Sequence, residues 1–388
     1  MTRGPMNRAL TGFTSTIFAE MSALATRTGS INLGQGFPDF DGPAGMLQRA
    51  QRAIADGVNQ YPPGPGSAEL RAAIAAHQHR FYGIDIDPET QVLVTAGATE
   101  GIAAAMLGLL EPGDEVVMLE PYYDSYAATV ALAGGVRRTV PLHPPDFRLN
   151  RDHLAAAITQ RTRLLLLNSP HNPTGMVLSG DELQFIAQLA VRHDLIVVTD
   201  EVYEHLTFDG VAHRPICTLP GMADRTLTIS SAGKTFSVTG WKIGWVTGPV
   251  DLVVAVRAAK QYLTFVNGAP FQPAVAEALA LPDDYFHRFR EAMQNKRDRL
   301  LDGLAEAGFA AFRPSGTYFV VADCTSVGFG DGHELCRALP ELCGVVAVPM
   351  AVFYDDPDAG SNLVRFAFCK RDDVLDEGIR RLQRFARG

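Results

Sequence analysis

The sequence lacks most of the features that would tie it to a specialised compartment or partner. Its 388 residues include five cysteines (Cys217, Cys324, Cys336, Cys343 and Cys369), an odd number with no C-x-x-C pair. Such a set argues against a disulfide framework and suits free thiols in a reducing cytoplasm. Positive charge is in deficit: 34 Lys and Arg face 43 Asp and Glu, for a net charge of −9. Nucleic acid or an anionic membrane is therefore not expected as the main partner. No apolar run approaches a membrane span. The N-terminal stretch "MTRGPMNRALTGFTSTIFAEM" lacks the apolar core and cleavage site of a signal peptide. Internal repeats, low-complexity tracts and flexible linkers are also missing, which predicts tightly packed domains.

What remains is ordinary globular composition, 47% hydrophobic and 20% charged, in a chain long enough for about two domains. Short apolar runs ("QVLVT", "DEVVMLEP", "TRLLLLNSP", "LIVVTDE", "RTLTIS", "KIGWVTG") alternate with helical stretches. One of these, "SGDELQFIAQLAVRHD", opens with Ser179 and Glu182 at capping-box spacing. Apolar runs without alternation predict strands buried on both faces, hence an α/β fold with a mostly parallel sheet between helices. From about residue 285 a long charged helix, two short strand patterns and a final helix suggest a smaller α+β domain. A ligand site is expected at strand ends and in the interdomain crevice.

The stretch "SSAGKTFSVTGWKIGW", residues 230–245, poses the chemical question, because Lys234 lies in "GKT" and Lys242 comes eight residues later. A phosphate-binding loop of the G-x-x-x-x-G-K-[ST] type needs glycine where this chain has Thr228, and the acidic strand "LIVVTDE" precedes the loop in the wrong order. A covalent cofactor accounts better for the same residues. A lysine partly desolvated at a strand end loses its proton more easily and can form a Schiff base, most commonly with pyridoxal 5′-phosphate (PLP). The protein must then also supply a phosphate cup, an acid for the pyridine nitrogen, donors to the ring oxygen and a substrate clamp.

Asp200, ending "LIVVTD", is a candidate for the acid, since a buried carboxylate needs a partner; it could equally cap the next segment. "DEVYEH" offers Asp200, Glu204 and His205 as metal ligands, but the spacing is not H-E-x-x-H, and a solvated helical turn is expected instead. "HQH" at 77–79 falls in a charged helical stretch and is expected to be equally ordinary. "TAGATEG" could form the phosphate cup, with Gly97 allowing the turn and the amides of Ala98 and Thr99 opening a helix. "NSPHNPTG" places Asn168 and Asn172 in a proline-fixed loop after a strand, which is also what any structural turn looks like.

Taken together, "NLGQGFPDF", "NQYPPG", "TAGATEG", "EPYYDSY", "NSPHNPTG", "TDEVYEHL", "SSAGKTFSVTGWKIGW" and "LVRFAFCKRDD" occur in the order found in fold-type I PLP-dependent aminotransferases. The chain resembles this class I/II family from about residue 10 onward. Within it, the likeness is to the kynurenine, glutamine and methionine aminotransferase branch and to the bacterial N-succinyldiaminopimelate aminotransferases of lysine biosynthesis. The resemblance implies an N-terminal segment (1–40) joining the small domain, a large PLP-binding domain (41–284) and a small C-terminal domain (285–388). It implies that Lys234 carries PLP and shuttles a proton, and that Asp200 pairs with the pyridine nitrogen. Tyr203 and Asn172 would bond the ring oxygen, and Tyr123 would stack on the ring. Ala98, Thr99, Ser231 and Lys242 would bind the phosphate. Arg365, helped by Gly36 and Asn172, would clamp the substrate carboxylate. Many relatives carry arginine where this chain has Lys242, a point charge without bidentate geometry.

The resemblance further implies a homodimer, in which Tyr61 of "NQYPPGPGS" reaches the partner's cofactor phosphate, and 2-oxoglutarate as amino acceptor. A PLP carbon–sulfur lyase is the alternative chemistry on the same fold. A regulatory PLP-binding domain is a third class, but such regulators carry a fused winged helix for which this chain has no spare residues. No metal is expected.

Overall fold

The computed structural model describes residues 6–13 and 16–385. Part of the N-terminal stretch, residues 1–5, 14 and 15, lies outside them. The strands, in chain order, are β1 (Ile31–Asn32), β2 (Val92–Ala96), β3 (Glu115–Glu120), β4 (Val136–Pro141), β5 (Thr162–Asn168), β6 (Ile196–Asp200) and β7 (Thr226–Ser231). They continue with β8 (Ile243–Thr247), β9 (Ala310–Phe312), β10 (Phe319–Asp323), β11 (Val345–Val346), β12 (Val348–Pro349) and β13 (Leu363–Ala367). Strands β2 to β8 form one sheet in the order β2–β8–β7–β6–β5–β3–β4. Every pairing is parallel except those of β8, which runs antiparallel to both β2 and β7.

The continuous apolar runs explain this sheet. Leu164 to Leu167 on β5 are each no more than 2% exposed, so both faces of the strand are covered, as parallel strands between helices require. Burying one such leucine stabilises the fold by about 1.5–3 kcal/mol. The edge strand β4 departs from the pattern, carrying Arg137 and Arg138, charges that blunt an open edge against pairing with other chains. The helix Gly180–Arg192 starts with the expected capping box, Ser179 and Glu182 exchanging backbone and side-chain hydrogen bonds.

A second, antiparallel sheet has the order β12–β13–β10–β9. The long helix Asp283–Glu306 packs against the C-terminal helix Asp372–Phe385 beside it. Early in the chain, β1 pairs in parallel with β11, joining residues 31–32 to residues 345–346.

The reversal of β8 decides which residues gather at one edge of the large sheet. In a parallel sheet the carboxyl ends of strands share one edge. Because β8 runs the other way, its beginning lies at that edge, with Ile243 beside Ala96 and Gly244 beside Ser231. Lys242, immediately before β8, therefore stands with the residues just after β2 and β7.

Two expectations about polar residues need correction. "DEVYEH" is not a solvated turn, since Glu204 is buried, and "HQH" is not a solvated stretch, since His77 and Gln78 are buried on the helix Ala68–Tyr82. The two segments pack on each other: His77 Nε2 and His205 Nε2 are 2.8 Å apart, and Phe81 and Phe286 flank them at 4.7 and 4.5 Å. Burial pulls both imidazoles far below their usual range, His77 to about 3, so one neutral ring donates to the other. Glu204 accepts the Ser230 hydroxyl at 2.6 Å. His77, Glu204 and His205 do approach within 4.8 Å; the two rings hydrogen-bond each other and Glu204 accepts from Ser230, while His77 Nδ1 is buried with no partner among the described residues. Asp200, the remaining residue of the metal reading, faces away into a cavity at the strand ends.

Candidate active site

The carboxyl ends of β2, β5, β6 and β7 and the start of β8 converge on a cavity of about 360 Å³. This is the crevice where α/β sheets bind ligands. Lys234, Asp200, Tyr203, Asn172, Tyr123, Ala98, Thr99, Ser231, Lys242, Arg365 and Gly36 all line it. Sequence reasoning assigns each of them to a site, from segments as distant as those of Gly36 and Arg365.

Lys234 sits on a single helical turn, Ala232–Thr235, directly after β7. Its amine donates to the Tyr318 hydroxyl at 2.8 Å and to the Gly36 carbonyl at 3.4 Å. Burial lowers its pKa to about 8, so near neutrality a useful fraction is already the free-base nucleophile.

Asp200 is the last residue of β6 and is 5% exposed. Its carboxylate accepts from Tyr126 Oη at 2.8 Å and from the Val202 amide at 3.2 Å. The capping reading of this aspartate is therefore seen, one oxygen accepting from the Val202 amide and the other from Tyr126, and the residue also lines the cavity. Burial pushes its pKa up to about 6 despite these donors. Among the described residues no Lys or Arg forms an ion pair with it. A buried carboxylate of this kind is suited to a protonated ring nitrogen.

At the other end of the cavity, Gly97 (φ +73°) turns the chain from β2 into the 13-residue helix Gly97–Leu109. A Cβ on Gly97 would lie 3.0 Å from the Lys242 amine, and one on Gly244 would lie 2.5 Å from the Gly97 carbonyl carbon. Glycine is called for at 97 by its left-handed φ and at 244 by the close approach to backbone. Lys242 itself adopts a left-handed conformation (φ +52°), held by the Asn267 amide, which donates to the Lys242 carbonyl at 3.0 Å. Helix amides, the Ser231 hydroxyl at the end of β7 and the Lys242 ammonium thus surround a space suited to a phosphate.

Arg365 projects from the middle of β13 and is 1% exposed. It donates to Asn172 Oδ1 at 3.0 Å and to the Gly34 carbonyl at 3.1 Å, while its Nε is buried without a partner among the described residues. The guanidinium lies 3.9 Å over the Phe319 ring. Burial pulls its pKa down to about 10, which leaves it cationic. A buried cation with unspent donors is a receptor for a carboxylate. Asn168 orients the loop beneath, donating from its side chain to the Asp200 carbonyl at 2.8 Å and accepting from the Asn172 amide at 2.7 Å.

Tyr61 does not join this constellation. It is 82% exposed on its proline-rich loop and meets Phe265 edge-on at 5.7 Å. Sequence reasoning misses Tyr126, Asn168 and Tyr318 as functional groups, each in direct contact with a named site residue. Tyr126 and Asn168 lie within quoted motifs, "EPYYDSY" and "NSPHNPTG", and their partners depend on tertiary approach. Tyr318, in "SGTYFVVAD", carries no signal beyond a strand pattern.

The cavity therefore holds an amine of lowered pKa, an unpaired acid at one end and an anion cradle at the other. That donor set fits PLP: Lys234 could bond its aldehyde, Asp200 could pair with its ring nitrogen, and Ala98, Thr99, Ser231 and Lys242 could hold its phosphate. The model of the aminotransferase class I and II family matches residues 28–382. A probable N-succinyldiaminopimelate aminotransferase of Mycobacterium tuberculosis is 60% identical over 95% of this chain and 96% of its own length. The methionine aminotransferase of Escherichia coli K12 is 39% identical, covering 95% of each chain. The solved structure of N-succinyldiaminopimelate aminotransferase from Mycobacterium tuberculosis superposes with a TM-score of 0.96 at 59% identity, covering 98% of this chain and all of that one. This chain belongs to the class I and II aminotransferases, enzymes that use pyridoxal phosphate to move an amino group between an amino acid and an oxo acid.

Proposed function

We propose that this aminotransferase acts on N-succinyl-LL-2,6-diaminopimelate, exchanging its amino group with 2-oxoglutarate in alternating half-reactions during lysine and diaminopimelate formation. The observation that carries this reading is the 60% identity, spread over 95% of the chain, to a relative named for that substrate.

Arg365 binds the α-carboxylate of either substrate, with the Asn172 side chain and the Gly36 backbone beside it. Lys234 would hold the cofactor and would move the proton at the substrate α-carbon. When bound, PLP supplies an electron-withdrawing ring that stabilises the charge left on that carbon. Asp200 would keep the ring nitrogen protonated, Tyr203 and Asn172 would donate to the ring oxygen, and Tyr123 would cover the ring face. Ala98, Thr99, Ser231 and Lys242 hold the phosphate. The same reading assigns residues 41–284 to the PLP-binding domain, 285–388 to the small domain and 1–40 to a segment joining the latter. The β1–β11 pairing supports that last assignment.

It also makes the enzyme a cytoplasmic homodimer. No helix among the described residues is long and apolar enough to cross a membrane. The exposed cluster of Tyr61, Tyr262, Leu263 and Phe265 is the kind of apolar patch a second copy covers.

The test is a panel of amino acids, N-succinyl-diaminopimelate, methionine, kynurenine and glutamine among them, incubated with 2-oxoglutarate while glutamate formation is measured. The succinylated substrate should show the highest kcat/KM. A higher value for methionine or kynurenine would replace this substrate with the other, and elimination of thiol from a sulfur amino acid would point to the lyase chemistry.

A further inference from the structure

Tyr318 contacts the cofactor lysine, yet none of the roles above uses it. The Lys234 amine donates to its hydroxyl at 2.8 Å, and that hydroxyl in turn donates to the Gly36 carbonyl. Lys234 also reaches the same carbonyl at 3.4 Å. Amine, phenol and carbonyl form a closed triangle inside the cavity wall. Because the phenol hydrogen is committed to Gly36, its oxygen can only accept from Lys234.

The backbone is arranged to put Tyr318 there. Thr317, just before it, is fully buried and adopts φ +66°, a conformation that is an outlier for a β-branched residue and clusters at functional sites. It persists because its neighbours over-determine it. The Thr317 amide donates to the Leu206 carbonyl at 2.9 Å. A Cβ on Gly316 would meet that carbonyl oxygen, and Pro170, at 2.8 Å. This turn directs the Tyr318 ring between Tyr203, edge-on at 5.1 Å, and Phe319 at 4.8 Å. A phenylalanine would pack equally well in that slot, so packing alone does not explain the hydroxyl.

We propose that Tyr318 is a positioning residue that holds the Lys234 amine whenever that amine is not bonded to the cofactor, and ties its place to the Gly36 carbonyl of the substrate loop. The proposal rests on the reading of Lys234 as the cofactor lysine. A lysine that alternates between bonded and free states would otherwise sample many rotamers of its four-carbon stem within a buried cavity. An acceptor fixed at 2.8 Å keeps the amine beside the reacting carbon. Burial holds the phenol pKa well above its usual value, so Tyr318 keeps its proton and does not compete as a base.

The experiment is Tyr318→Phe, examined in both apo and PLP-loaded protein. Loss of an acceptor from the ammonium form makes the amine easier to deprotonate. The pH midpoint for capture of PLP by the apoprotein should fall by about one to two units, the tenfold to hundredfold expected for one hydrogen bond to a charged group. The rate constant of a single half-reaction should drop by a similar factor while KM for the amino acid stays near the wild-type value. Faster capture below neutrality together with slower turnover is a combination that a filler role would not produce. A Phe variant with the wild-type midpoint and turnover would overturn the proposal. If that variant does not fold, 4-aminophenylalanine at 318 keeps the ring and a donor to Gly36 while replacing the phenol oxygen with a much weaker acceptor. It should move the midpoint in the same direction, and an unmoved midpoint would sink the idea. Borohydride fixation in wild-type protein, mapped by peptide, tests Lys234 separately: a label on another lysine ends the underlying reading whatever Tyr318 does.

Discussion

Arg365 and Asn172 are joined by a 3.0 Å hydrogen bond from guanidinium to amide oxygen, although 193 residues separate them. The bond fixes the arginine fork and leaves Nε buried with no partner among the described residues, the arrangement that the proposed carboxylate-binding role needs. Arg365→Ala should lower kcat/KM by about a hundredfold or more, as loss of two charge-assisted hydrogen bonds predicts. Bound PLP, measured by absorbance, should hardly change. Normal kcat/KM in this variant would show that another group holds the carboxylate.

Asp200 is ionised at a cost in the apoprotein. Its folded pKa, about 6, lies above the ordinary carboxylate value of 3.8. A raised folded pKa favours the fold below pH ~4, and that advantage is lost as pH rises through about 6. Asp200→Asn escapes the loss. By urea unfolding at pH 7.5, the apo variant should be more stable than wild type by up to about 3 kcal/mol, since each pKa unit is about 1.4 kcal/mol. The gain should vanish below pH 4, and turnover should be nearly abolished at every pH. A less stable apo variant at pH 7.5 would count against an unpaired carboxylate.

Cofactor capture should track the free-base fraction of Lys234. With its pKa lowered from 10.5 to about 8, the amine is protonated below pH 8 and neutral above. The rate of PLP recombination should rise about tenfold per pH unit up to about 8 and then level off. Stopped-flow absorbance checks this. In Lys234→Ala, borohydride should fix no cofactor, whereas label recovered on Lys242 or Lys260 would overturn the assignment.

Tyr61 supplies a test of shared sites. Tyr61→Phe should weaken PLP retention and leave the dimer intact. When Lys234→Ala chains are mixed with Tyr61→Phe chains, a heterodimer has one site with both lesions and one with neither. PLP affinity at the intact site should return to the wild-type value. Mixed dimers that retain PLP only as weakly as the Tyr61→Phe parent would mean the loop serves its own subunit.

Much of this molecule is legible along the chain. Strands buried on both faces announce themselves as runs such as Leu164–Leu167, and glycines such as Gly97 mark where a turn or close approach is required. Asp200 and Ser231 end strands, Ala98, Thr99 and Lys234 come shortly after strands and Lys242 immediately precedes one, so local order carries their positions. The contacts that escape depend on approach between distant segments. Tyr318 meets Lys234 across 84 residues, and His77 meets His205 across 128. The histidines mislead for the same reason. Charge nearby in sequence suggests solvent, while helix packing places Phe81 and Phe286 around them.

The reversed strand β8 has a consequence for how the chain can vary. Residues 232–242 leave and re-enter the sheet at one edge, so this connection works as a ruler whose two graduations are Lys234 and Lys242. Lengthening it by a residue would move Lys242 relative to Lys234, and on the roles proposed above a cofactor of fixed size could no longer meet both. The exposed turn at Glu111–Gly113 enters β3 at the opposite edge and measures nothing. Insertions there change the outline of the molecule and leave the spacing of its chemistry untouched.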